Sequence, residues 1–119
     1  MYKRSEKVAE AIHELVSGLL VKEIKDPRIG FATITGVEVS DDLHYARIFF
    51  SVIGDDEQKK ETEKGLNSAK GFIRREIGRE LRMKYIPEII FRYDQSIDQG
   101  DRIETLLRQI SSETKPDGE

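Results

Sequence analysis

Six basic side chains, Lys70, Arg74, Arg75, Arg79, Arg82 and Lys84, crowd one short stretch of this sequence. On a helix, positions 70 and 74 are neighbours, as are 75 and 79, and 82 follows one turn further on. Arginine forks grip phosphate oxygens through paired N–H bonds and stack on flat rings, so such a row suits a polyanion. The plainer reading is a solvated helix face balanced by Glu76, Glu80 and their neighbours. Ala69-Lys70-Gly71 stands at the head of the stretch. Small side chains there let another backbone approach, and if the helix broke at this point its amide N–H groups could meet phosphate. A packing notch or a merely tolerated glycine would explain the same residues.

Lys3, Arg4, Lys7, Lys22, Lys25 and Arg28 form a second basic set. Lys3, Arg4 and Lys7 lie near a helix start, where positive charge opposes the helix dipole. That mild cost points to a partner, although frayed termini often carry lysines. Lys22 and Lys25 lie near the helix end, where the dipole already accounts for them. Arg28 follows Pro27 in a loop, and either loop carbonyls or a polynucleotide would satisfy it. His13 reads as a boundary residue, and His44, near Asp41 and Asp42, as part of a solvated turn. Tyr45 and Phe49 share one strand face, where a partly buried aromatic pair is the plainer account and base stacking the alternative.

Catalysis has little support. Asp55-Asp56-Glu57 and Glu61/Glu63 lie on a turn and a helix start, where negative charge favours the dipole. No nucleophile–base set, phosphate loop or metal-ligand spacing accompanies them. Cysteine is absent, which removes disulfides, thiolate catalysis and zinc-thiolate sites. No catalytic residue, metal or cofactor is therefore expected. No apolar run approaches the roughly 20 residues of a membrane span, and no signal peptide is legible. A cytoplasmic protein without a membrane or small-molecule partner is expected.

The formal net charge is −3, which taken alone argues against nucleic acid. The distribution of charge argues the other way. Residues 31–67 hold four basic and eight acidic side chains, and residues 93–119 hold three and seven. Residues 68–92 hold seven basic and three acidic. A ligand meets the local field, so one positive segment on an acidic body can still attract phosphate.

These residues need elements to position them. Val8, Ile12, Leu15 and Leu19 make one apolar stripe, which predicts a helix over 3–24 with Ser5 as cap and a stop at Asp26-Pro27. Residues 31–39 read as a strand whose apolar phase slips at Gly36, which predicts a β-bulge there. Residues 44–52 alternate cleanly, with Ala46, Ile48, Phe50 and Val52 on one face, and complete a hairpin. Residues 57–84 form a long helical segment with Leu66, Ala69, Ile73, Ile77 and Leu81 on its apolar face. Ile89, Phe91 and Tyr93 point inward from a third strand. A last helix, capped by Ser96 or Asp98, carries Ile103, Leu106, Leu107 and Ile110. Residues 111–119 contain no apolar side chain and are expected to be disordered. The order predicts an α+β fold of one domain over 1–110: a three-stranded sheet with helices on one face, the KH type II arrangement.

Several runs then appear in a telling order. Asp-Pro-Arg (26–28) precedes Thr-Ile-Thr-Gly-Val-Glu-Val-Ser (33–40), Asp-Leu (42–43) and Tyr-Ala (45–46). Ser-Ala-Lys-Gly-Phe-Ile-Arg (68–74), Pro-Glu-Ile-Ile-Phe (87–91) and Tyr-Asp-Gln-Ser-Ile (93–97) follow. Over about residues 3–110 the chain resembles the ribosome-binding factor A family. That resemblance implies a KH-like fold in which an Ala-x-Gly kink, here Ala69-Lys70-Gly71, replaces the usual Gly-x-x-Gly loop, which this sequence lacks. It also implies a monomeric, non-enzymatic assembly factor. Such a factor binds the small (30S) ribosomal subunit and its 16S rRNA during late maturation and pre-rRNA processing. The family is linked to cold adaptation and is displaced by assembly GTPases. A general KH-type RNA binder and a protein-interaction module are the rival readings. On this reading Arg74→Glu with Arg79→Glu is expected to weaken subunit binding at little cost in stability.

Overall fold

The structure is a computed structural model that describes residues 3–29 and 32–95. The expected last helix, the tail and Phe31 of the first strand lie outside the described residues. Helix α1 spans Arg4–Lys22. Its stripe buries Ile12, Val16 and Leu19, with Val8 and Leu15 partly covered. The N–H groups of Glu23 and Ile24 both donate to Leu19 O at 2.9 Å and close the helix. Ser5 is not the cap. Lys3 occupies that position without a side-chain bond. Ser5 lies inside the first turn, 6% exposed, and its hydroxyl donates to Asp41 Oδ1 at 3.4 Å. The helix begins earlier than the cap signal implied because its first turn packs against the turn that carries Asp41.

Strands β1 (Thr33–Val39) and β2 (Tyr45–Ser51) are antiparallel. The register shifts between Ile34 and Gly36. Ile34 faces Phe50 and Val37 faces Ile48, so the irregularity restores the inward phase that plain alternation would lose. Strand β3 (Glu88–Tyr93) runs parallel to β2, giving the sheet order β1-β2-β3. A parallel pair needs a long crossover. Two helices supply it, α2 (Asp56–Ser68) and α3 (Lys70–Leu81).

One face of the sheet is the core. Ile34, Ala46, Ile48, Phe50, Ile89 and Phe91 meet Ile12, Val16 and Leu19 of α1, Leu66 of α2, and Ile73 and Ile77 of α3. Each of these side chains except Ala46 contributes about 1.5–3 kcal/mol by leaving water. Phe50 and Tyr93 meet edge to face, 5.8 Å apart. His13 Nε2 donates to Ile34 O at 3.1 Å and ties α1 to β1. The opposite face carries Tyr45, Arg47 and Phe49; Tyr45 is exposed, Phe49 half-buried, and Arg47 pairs with Glu38 at 3.0 Å. This is the expected α+β, KH-like arrangement, with the three described helices on one face.

Candidate nucleic-acid interface

Helix α2 starts on a full capping box. The Gln58 N–H donates to Asp55 Oδ1 at 2.9 Å, and the Asp55 N–H donates to Gln58 Oε1 at 2.8 Å. The helix stops at Ala69 (φ −87°, ψ −3°), which also starts α3. The break falls among poor helix formers, Asn67, Ser68 and Gly71. It loses few backbone bonds: the Ala69 N–H reaches Gly65 O and Leu66 O, both at 3.1 Å, and Ala69 O accepts from Ile73 at 2.9 Å. No side chain caps α3, and its first turn carries no acid. The crossover is thus two helices joined at the expected Ala-x-Gly position.

The glycines around the break differ. A Cβ on Gly65 would lie 2.9 Å from Ile29 Cγ1 and 3.2 Å from Arg28 Cβ, so its bareness admits the 26–29 loop. A Cβ on Gly78 would lie 2.6 Å from Ile86 Cδ1. A Cβ on Gly71 would meet nothing within 4 Å. Packing therefore gives no reason for glycine at 71, and the notch reading fails there.

The 26–29 loop docks beside the break. Thr62, 2% exposed, donates its hydroxyl to Arg28 O at 3.0 Å. Asp26 Oδ1 accepts the Arg28 N–H at 2.9 Å, a local Asx turn. Arg28 Nε lies 3.1 and 3.2 Å from the two Asp26 oxygens, and Nη2 lies 2.6 Å from Oδ2. Nη2 also donates to Ser68 Oγ at 3.3 Å. The Arg28 side chain and its backbone N–H hold the Asp26 carboxyl below its ordinary range. The same carboxylate pushes the Arg28 pKa up. Asp26, Ser68, Thr62 and Gly65 were not legible as partners of Arg28. The Asp-x-Arg spacing hinted at the turn alone.

The basic candidates part company in the structure. Arg74 points inward along the surface: Nε donates to Pro87 O at 3.3 Å and Nη2 to Ile86 O at 3.2 Å, with Glu88 3.5 Å away. Arg79 Nη2 bonds Glu76 at 2.6 Å and Glu80 at 3.4 Å. Arg82 and Lys84 are not helical, because α3 ends at Leu81 and Arg82 adopts a left-handed conformation (φ 50°, ψ 43°). Lys84 Nζ lies 5.6 Å from the centre of the Tyr85 ring. Lys3 reaches Asp41 at 3.9 Å. Lys70, Arg75, Arg82, Arg4 and Lys7 have no side-chain partner among the described residues; all but half-buried Lys70 are exposed. Two neighbourhoods result. Arg28 and Lys70 lie at the helix break, whereas Lys3 sits by the β1–β2 turn, the sheet end at which β3 begins, since the Glu88 N–H donates to His44 O at 2.8 Å.

Beside the loop a groove of about 570 Å³ is lined by Pro27, Arg28, Ile53, Asp55, Glu57 and Glu61, among others. Its rim carries Asp55, Glu57 and Glu61, and the Glu61 charge adds to the upward push on the Arg28 pKa. Among the described residues, no group of three or more His, Asp or Glu is placed to hold a metal ion. No helix among them is long and apolar enough to cross a membrane.

Comparison with known proteins bears on the family and the fold. The family model described as ribosome-binding factor A matches residues 4–107. The ribosome-binding factor A of Geotalea uraniireducens is 64% identical over 117 residues, 98% of this chain and 96% of that protein. That of Geobacter metallireducens is 66% identical over 113 residues, 95% of this chain and 96% of that protein. Among solved structures, a candidate ribosome binding factor A from Thermotoga maritima superposes with a TM-score of 0.68 at 38% identity. It covers 75% of this chain and 85% of the other. A Thermus thermophilus ribosome binding factor A model fitted into a cryo-EM map of a 30S complex shares the fold, with a TM-score of 0.53 at 20% identity over 71% of this chain and 93% of that one. Family model, close relatives and fold converge: this chain belongs to the ribosome-binding factor A family.

Proposed function

We propose that this protein is a non-enzymatic, cytoplasmic assembly factor. It binds the small ribosomal subunit and its 16S rRNA during late maturation and pre-rRNA processing. The observation that carries the reading is that the second half of the broken crossover keeps cations free of carboxylates. Lys70, Arg75 and Arg82 have no acidic partner among the described residues, and Gly71 opens onto empty space. A phosphate backbone gains most from cations that have no carboxylate to give up. Arg74 and Arg79 are already engaged within the fold and are poorer reporters. The test is co-sedimentation of the purified protein with free small subunits and with fully assembled ribosomes. Preferential binding to free small subunits is expected, weakened by Arg75→Glu with Arg82→Glu at unchanged melting temperature. Equal binding by that double variant would remove the edge of α3 from the site.

A further inference from the structure

We propose that Arg28 and Ser68 form a phosphate-binding subsite at the helix break, with Asp26 as the residue that positions the guanidinium. The inference rests on the polynucleotide reading above and adds to it a second element and a geometry. Arginine carries five N–H donors in a rigid fork. Here one edge is taken: Nε and Nη2 face the Asp26 carboxylate, and Nη2 also meets Ser68 Oγ. Nη1 has no partner among the described residues, and the side chain is 40% exposed. Its two donors are therefore held in one orientation and remain available. The chain that holds them is itself anchored, through the Thr62 hydroxyl on Arg28 O and through the close approach of Ile29 to Gly65. Ser68 is the last residue of α2, so the guanidinium is tied to the helix end that Ala69, Lys70 and Gly71 follow in the chain. Ordering a long cationic side chain before the ligand arrives removes an entropy cost from binding.

The carboxylate makes this testable, because two accounts of Asp26 predict opposite signs. If Asp26 acted only through its charge, removing that charge would tighten polyanion binding. If it positions Arg28, removing it loosens the fork and weakens binding. The measurement is affinity of the full chain for protein-free 16S rRNA across a salt series, with melting temperature recorded for each variant.

Asp26→Asn is expected to weaken binding about three- to tenfold, the range of a charged hydrogen bond partly lost, while leaving the salt slope unchanged. Arg28→Ala is expected to weaken it by at least as much and to lower the slope by about 0.7–0.9, one phosphate contact. The double variant should bind no worse than Arg28→Ala alone. Arg28→Lys keeps the charge and the loop but lacks the second edge. It should hold the slope and lose the affinity. Unchanged or tighter binding by Asp26→Asn, or full binding by Arg28→Lys, overturns the inference. Arg75→Glu with Arg82→Glu is the control. If it weakens binding while the Arg28 series does not, the subsite falls and the wider reading stands. If neither set changes binding, the wider reading falls and the subsite with it.

Discussion

Arg82 holds a backbone conformation that usually belongs to glycine. Its φ of 50° follows the last residue of α3, and a left-handed residue other than glycine costs about 1–2 kcal/mol. Glycine would relieve that strain but lose more freedom on folding. Arg82→Gly is therefore expected to leave the melting temperature unchanged or slightly raised while weakening rRNA binding. A large loss of stability would show that the guanidinium supports the fold. Asp26 gives a pH signature at the same scale. Its folded pKa lies below the ordinary value because Arg28 bonds the charged form. Such a group stabilises the fold fully above its unfolded pKa of about 4, and that contribution disappears as pH falls through the depressed folded value. Stability should be flat in this contribution from about pH 5 to 8 and fall in acid. Asp26→Asn should shed part of the acid slope, read from denaturant midpoints at about pH 3 and pH 6.

At the scale of elements, the crossover and the 26–29 loop are one assembly. Gly65 is buried in α2 yet has Ile29 and Arg28 in the space of a side chain. Alanine gains about 1 kcal/mol of helix propensity, but Ile29 is buried and its Cγ1 is no flexible tip. Overpacking of this kind costs about 1–3 kcal/mol. Gly65→Ala is expected to lower stability and to displace Arg28 from Ser68, so rRNA affinity should fall as it does in Arg28→Ala. At the other end of α2, Asp55→Ala removes one half of the capping box and should cost about 1 kcal/mol. It lines the groove that Arg28 also borders, so losing its carboxylate should leave rRNA affinity unchanged or slightly raised. Denaturant unfolding and the salt-series binding measurement separate the two.

At the scale of the whole molecule, a net charge of −3 does not bar a polyanion, because a ligand meets the local field, and Lys70, Arg75 and Arg82 have no acidic partner among the described residues. Carboxylates line the groove beside Arg28 at Asp55, Glu57 and Glu61, whereas Lys70 follows the helix break and Arg82 caps the end of α3. The acidic surface repels any misplaced polynucleotide and so contributes orientation. Affinity for 16S rRNA should fall linearly on logarithmic axes as salt rises. An affinity indifferent to salt would count against phosphate contact altogether.

Periodicity along the chain determined the elements. The stripe through Val8, Ile12, Leu15 and Leu19, the alternation from Ala46 to Phe50, and the phase slip at Gly36 are local patterns, since a buried face must repeat with the period of its own backbone. The break at Ala69 was not legible this way: periodicity runs one helix through 57–84, and the family resemblance alone implied the kink. Side-chain partners were not legible either. Arg74 is held by carbonyls more than ten residues away, Arg28 meets Ser68 across 40 positions, and Ser5 meets Asp41 across 36. No local pattern encodes which loop a helix will rest against. The row of six cations was thus visible from composition and spacing alone. Which of them stay available to a ligand was decided only when the chain folded and brought carbonyls and carboxylates to some of those cations and left others without.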